Sequence, residues 1–250
     1  MRSKEDVIQS ITPTHNRKFL YHFTRVRNLQ AIAHLDSLLS SYSIHPYCTG
    51  ERRTKPKEVN YGKYPVTINA HLRIPEHMME AGCTLEEFRS FLDKHVFFWP
   101  TMKDCQKMME TYSRREPDEN FAVLVLDAFS LLMENFSHVS LSKYDSGSSP
   151  RFPKHCTYRK SPEMFVALDD FKIKLNKTVP VKASEVREVL IEAKVTDISR
   201  VLRMIYVEDP EMLPVHWKQM ARPMTDFNNG SVIDRLPADM LPIGESDGLL

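Results

Sequence analysis

The chain has 250 residues, of which 42% are hydrophobic and 27% charged, and 34 Lys and Arg against 33 Asp and Glu give a formal net charge of +1. That composition suits a globular chain with a substantial core, and the near balance of charge means that any affinity for nucleic acid must be local. Residues 1–10, MRSKEDVIQS, hold no apolar signal-like stretch, and no later window approaches the roughly 18 apolar residues of a bilayer span, so a cytoplasmic protein without a membrane partner is expected.

In chain order, KFLYHFT (18–24) has the aromatic density of a strand, and Val26, Leu29, Ile32 and Ala33 then follow helical spacing, with Thr24 a candidate N-cap. Residues 41–63 carry Pro46, Pro56, Gly50 and Gly62 and the cations Arg52, Arg53, Lys55 and Lys57 without periodicity, which predicts a long loop. Thr84 with Glu87 three residues on forms a capping-box pattern ahead of Phe88, Phe91 and Leu92, so a helix is expected there. HVFFW (95–99) reads as a strand ended by Pro100. Thr101 can cap the next helix, whose apolar stripe is Cys105, Met108, Met109 and Tyr112.

FAVLVLD (121–127) is a nearly continuous apolar strand, AFSLLMENF a short helix and HVSLS (138–142) another strand. After a loop over 143–162, strands are predicted in EMFVALDDF, SEVREVLIEAKVTD and VLRMIYVED. From Arg222 the period is lost, which leaves a single domain over 1–221 and a docked or irregular tail over 222–250. Mixed strands, with helices mainly in the first half, define an α+β class.

Several chemistries find no support. The chain has seven glycines and neither a G-x-G-x-x-G nor a G-x-x-x-x-G-K-[ST] run, so Rossmann and P-loop phosphate cradles are excluded. No nucleophile sits in a hydrolase elbow. Cys48, Cys83, Cys105 and Cys156 form no Cys-x-x-Cys pair, so reduced and mostly buried thiols are expected, and Glu76, His77, Glu80 and Cys83 are the only compact cluster of ligand types, so no metal site is expected.

Glu188 is the unusual residue. With period two, Val186, Glu188, Leu190 and Glu192 share one strand face, and a carboxylate at mid-strand is either solvated alongside Glu192 or set in a cleft where its charge is used.

Three ordered segments, LYHFTRVRNLQAIAHLDSLLS, HVFFWPTMKDCQKM and REVLIEAKVTDI, decide between these. Together they make the chain resemble the DarT-like ADP-ribosyltransferase toxins over roughly residues 18–205, with VFFWP and DSGSS also similar to a related bacterial domain family of unknown function. The resemblance implies a single domain with a split mixed β core that grips NAD as co-substrate, expels nicotinamide and passes ADP-ribose to RNA or single-stranded DNA. It further implies a toxin or phage-defence role and an antitoxin partner. On this resemblance Glu188 is the catalytic carboxylate, His22 anchors a ribose hydroxyl beside Tyr21, Thr24 bonds the nicotinamide side, and Phe98 and Trp99 stack on a ring. Where the family carries a catalytic arginine after the aromatic strand's proline, this chain offers Lys103 as the catalytic cation, a point charge rather than a bidentate fork. Arg52 and Arg53 in one basic loop, and Arg151, Tyr158 and Arg159 in another, are the candidate substrate contacts, because interleaved cations and aromatics suit single-stranded nucleic acid. A protein-directed transferase and a non-catalytic NAD or nucleic-acid binding module are the alternatives.

Overall fold

The computed structural model describes residues 2–230. In chain order the elements are α1 (Lys4–Ile11), β1 (Phe19–Arg25), α2 (Leu29–Leu35), β2 (Ser37–Leu39), α3 (Ser41–Ile44), β3 (Lys57–Tyr61), β4 (Tyr64–Ile68), α4 (Leu85–Asp93), β5 (His95–Phe98) and α5 (Met102–Ser113). They continue with β6 (Phe121–Asp127), α6 (Ala128–Glu134), β7 (Val139–Ser142), β8 (Phe165–Ala167), β9 (Glu188–Glu192), β10 (Lys194–Thr196), α7 (Ile198–Val201), β11 (Leu202–Val207), β12 (Ala221–Pro223) and α8 (Met224–Asn228).

Every residue of β6 is buried, as a continuous apolar run requires of a strand covered on both faces. It pairs antiparallel with β1 on one side and β11 on the other in a four-stranded sheet ordered β1-β6-β11-β12. A second four-stranded sheet runs β5-β9-β7-β8, and two-stranded pairs join β10 with β2 and β3 with β4. The two larger sheets are stitched at one point, where the N–H groups of Tyr21 and Trp99 each donate to the other's carbonyl at 2.9 Å. Pro100 has no N–H with which to extend that ladder. One core takes residues from both sheets, among them Leu20, Leu124 and Ile205 from the first and Phe98, Val189 and Ile191 from the second.

Local chemistry sets the helix starts. Thr84 accepts from the Glu87 N–H while the Glu87 carboxylate accepts from the Thr84 N–H, and Thr101 accepts from the Asp104 N–H at the head of α5. Neither larger sheet has a parallel βαβ repeat, and the class is α+β. Among the described residues no helix is long and apolar enough to cross a membrane.

The structure corrects several expectations and divides the tail. Thr24 is not an N-cap: β1 runs on to Arg25, a 3-10 turn follows over Val26–Asn28, and α2 starts at Leu29. The predicted loop over 41–63 contains α3 and β3, the first strand of a hairpin with β4 whose ladder closes at Tyr61 and Tyr64 around Gly62, in the left-handed region at φ +60. The strand predicted over SEVREVLIEAKVTD is two strands broken at Ala193, which takes φ +61 and donates its N–H to Lys94 O at 2.7 Å. Of the tail, β12 and α8 are docked, with Met224 and Phe227 buried beside Tyr21 and Tyr206, while 231–250 lie outside the described residues. Of the thiols whose burial is described, only Cys105 is fully buried, and Cys83 and Cys156 are intermediate.

Candidate active site

Glu188 is the first residue of β9 and lies opposite Ser142, the last of β7. The next residue, Val189, points into the shared core, so the pleat turns Glu188 to the other face. Only 2% of it is exposed, and its Oε2 accepts the Ser146 N–H at 3.0 Å. Lys160 is fully buried alongside, and its Nζ donates to the carbonyls of Asp145 at 2.6 Å and Ser146 at 2.8 Å.

Burial pushes the Glu188 carboxyl up to about 8, and the charge of Asp145 pushes in the same direction. The hydrogen bond from the Ser146 N–H and the charge of the Lys160 ammonium oppose that rise without cancelling it. Burial also lowers the Lys160 ammonium, against the pull of Asp145 and Glu188. A carboxyl with this proton affinity, set at the edge of a cavity, is the pattern of acid–base and charge-stabilising sites.

The cavity is a cleft of about 1360 Å³ between α5, the 143–151 segment and the start of β9. Eight Lys and Arg line it against four Asp and Glu, so a chain of net charge +1 concentrates positive charge here. Lys103 and Lys107 of α5, with Arg114 at its C-cap, recur at helical spacing on the cleft face, opposite the apolar stripe. Arg73, Arg115 and Arg151 add to them, and none of these six has an acidic ion-pair partner among the described residues. Arg187 pairs with Asp104 at 3.1 Å, which ties the approach to β9 to the first turn of α5. Tyr144 and Tyr158 stack at the cleft with centroids 3.8 Å apart and planes 10° apart.

The model for a family described as "Family of unknown function (DUF7002)" matches residues 18–202, which is most of the chain. The chain belongs to the DUF7002 family. No curated protein matches its sequence. Among solved structures, this DUF7002 protein is similar to Thermus sp. 2.9 DarT in complex with NAD+, at 13% identity, TM-score 0.35, and coverage of 79% of this chain and 85% of that one. The complex of the same protein with carba-NAD+ gives 12% identity, TM-score 0.36, and coverage of 83% and 93%. Its complex with ADP-ribosylated ssDNA gives 13%, 0.36, 83% and 92%. Overlap at this level transfers no site.

The DUF7002 cleft gathers Glu188, Trp99, Lys103, Arg151 and Tyr158 of the residues singled out in the sequence. The others lie elsewhere, for identifiable reasons. His22 and Thr24 face away from Tyr21 along β1 and line a separate pocket of about 60 Å³ with Asn28, Ser37 and Tyr61. There the Nδ1–H of His22 donates to Phe97 O at 2.8 Å, and burial pushes the imidazole down to about 4, so the ring is neutral. Tyr21 is fully buried against Phe227, and Phe98 is fully buried in the shared core; neither offers a stacking face to solvent. Arg53 is spent on structure: buried, it pairs with Asp93 through both terminal nitrogens and donates Nε–H to Asn69 O at 3.0 Å. Arg52 and Arg159 are exposed outside the cleft lining.

Sequence reading missed Ser146, Arg73 and most of the α5 cations, and took Lys160 for one of the loop cations facing nucleic acid, whereas it is fully buried. The α5 set carried a signal in its helical spacing, four and then seven residues apart, opposite an apolar stripe. Lys160 carried none, since a lysine in CTYRKSP resembles any solvated loop cation.

Proposed function

We propose that this chain is an NAD-dependent mono-ADP-ribosyltransferase that modifies a nucleic acid, RNA or single-stranded DNA, with Glu188 as its catalytic carboxylate. The observation that carries the reading is a buried carboxyl, held by a backbone N–H, in the wall of a cation-lined cleft of about 1360 Å³. That volume exceeds the roughly 300–1,000 Å³ of a typical single-ligand pocket, which suits a dinucleotide together with an acceptor.

The residues divide the work. Cleaving a ribose–nicotinamide bond develops positive charge on the sugar, and an ionised Glu188 in a poorly hydrated wall stabilises that charge more than water does. Bringing a cationic nicotinamide ring near Glu188 favours loss of its proton, so the raised proton affinity is set against the charge it must meet. Lys103, Lys107 and Arg114 neutralise phosphates along α5, and Trp99, Tyr144 and Tyr158 supply ring faces. The motif resemblance over residues 18–205 supports the same reaction class, and with it a toxin or defence role restrained by an antitoxin protein. Thermus DarT is a protein solved with NAD+ and with ADP-ribosylated ssDNA.

A second reading, an NAD or nucleic-acid binding module without turnover, is favoured by the carboxyl's hold on its proton at neutral pH. Incubation with adenylate-labelled NAD and separate DNA, RNA and protein pools tests both. Label in RNA or single-stranded DNA together with nicotinamide release is the expected result. Label only in protein moves the acceptor, and binding without nicotinamide release overturns the transferase.

A further inference from the structure

We infer that Lys160 is the positioning residue for Glu188: by holding the Asp145 carbonyl, it aims the N–H of the same peptide group at the carboxylate. The inference rests on the reading of Glu188 as the catalytic group.

The geometry follows from one peptide plane. In a trans peptide the C=O and the N–H point in opposite directions. The Asp145 carbonyl and the Ser146 N–H belong to the same peptide. Its oxygen accepts from Lys160 Nζ at 2.6 Å, and its N–H donates to Glu188 Oε2 at 3.0 Å on the opposite side. A second bond from Nζ to Ser146 O, at 2.8 Å, fixes the next peptide as well. One ammonium thus sets the turn that presents the donor to Glu188.

Lys160 is itself held by other segments. Its N–H donates to Met78 O at 2.7 Å, its carbonyl accepts from Glu80 N at 3.0 Å, and Met79 bridges to it in a parallel register. Met78 is fully buried against Phe88 of α4. The turn is also braced from within, where Asp145 accepts from the Ser148 N–H at 3.1 Å. Burying a lysine completely is costly unless its donors are engaged, and among the described residues those that engage Nζ are the two carbonyls behind the Glu188 donor. The titratable groups bearing on Glu188 are Asp145 in the turn, and Lys160 and Tyr158 from the segment beyond it.

The test begins with the native, NAD-free protein. Glu188 is followed by carboxyl-carbon NMR, assigned by its absence in Glu188→Gln, and Ser146 by its amide proton. The two signals titrate with a common midpoint if the hydrogen bond exists; a Ser146 amide that ignores the carboxyl overturns the inference without any variant. In Lys160→Met, which keeps the apolar stem and loses the donors, the Glu188 midpoint rises by about one pH unit or more. The kcat for nicotinamide release falls at least about tenfold while the KM for NAD stays within about twofold, the pattern of a lost transition-state interaction. Lys160→Gln, which retains a donor, falls between. A folded Lys160→Met with an unmoved midpoint and unchanged kcat overturns the inference. Because the titrations need no turnover, an inactive parent protein with coupled Glu188 and Ser146 titrations sinks the transferase reading and leaves the clamp standing.

Discussion

On the two sides of the seam between β1 and β5 lie two concavities with opposite physics. On the His22 side the pocket is about 60 Å³ and the His22 and Asn28 side chains are bonded to backbone: His22 donates to Phe97 O, and Asn28 accepts from the Thr67 N–H and donates to Thr67 O. On the Glu188 side the volume is about 1360 Å³, six of the eight lining cations lack ion-pair partners among the described residues, and a buried carboxyl is pushed up to about 8. Both sides hold a perturbed titratable group. The His22 ring is perturbed toward its neutral form and used by its neighbours, whereas Glu188 is perturbed toward a state that an incoming cation would reverse. A shifted pKa therefore marks a functional group only where the surroundings leave room for something to shift it back.

The comparison breaks most sharply at Glu188. Glu188→Gln should lower the rate of ADP-ribosyl transfer by about 10²–10³ with the fold intact, and unchanged turnover would remove the site. The sign of its stability effect is also set. A carboxyl raised in the folded state contributes stability below its unfolded value near 4.5 and loses it as pH rises through about 8, so the Gln variant should gain on the parent across that window in thermal melts.

Arg52 and Arg53 sharpen the contrast between exposed and buried cations. Arg53→Ala removes the guanidinium from the buried Asp93, leaving it His71 and the Gly50 N–H, and should cost about 3–5 kcal/mol in denaturant unfolding. Arg52→Ala should stay within about 0.5 kcal/mol. Equal effects would mean that the ion pair does not anchor the 50–53 segment.

On α5, replacing Lys103, Lys107 and Arg114 together by Ala should weaken acceptor binding roughly tenfold or more and reduce the log–log salt slope by about 2, at roughly 0.7 per phosphate of a single strand. An unaltered slope would place the acceptor elsewhere.

On the other side of the seam the effect falls on stability alone. His22→Ala should leave the KM for NAD unchanged and lower stability by about 1–3 kcal/mol, because the Phe97 carbonyl loses its donor. With a folded value near 4 against 6.5 unfolded, the native protein should lose stability as pH falls from 6.5 to 4, and the variant should lose that part of the slope. A raised KM with unchanged melting would return His22 to the NAD site and erase the distinction between the two concavities.

What was local in origin was legible before the structure. The capping box at Thr84, the cap at Thr101, the apolar run of β6 and the helical stripe of α5 are decided by residues within a turn or two of one another, and each appears where the pattern put it. Glu188 was legible as an anomaly for the same reason, a carboxylate at an apolar position of a period-two segment. Periodicity also separates Tyr21 from His22, but it cannot say which face of β1 meets a cleft. That depends on where Trp99 bridges across the chain and on what α5 and α8 cover. The burial of Arg53 and Lys160 is likewise invisible locally, since each is held by partners far along the chain, Asp93 for one and the Asp145–Ser146 carbonyls for the other. A cation's own sequence neighbourhood carries no record of whether a distant carboxylate or carbonyl will compensate its desolvation, so only the tertiary structure decides which cations serve the fold and which face the cleft.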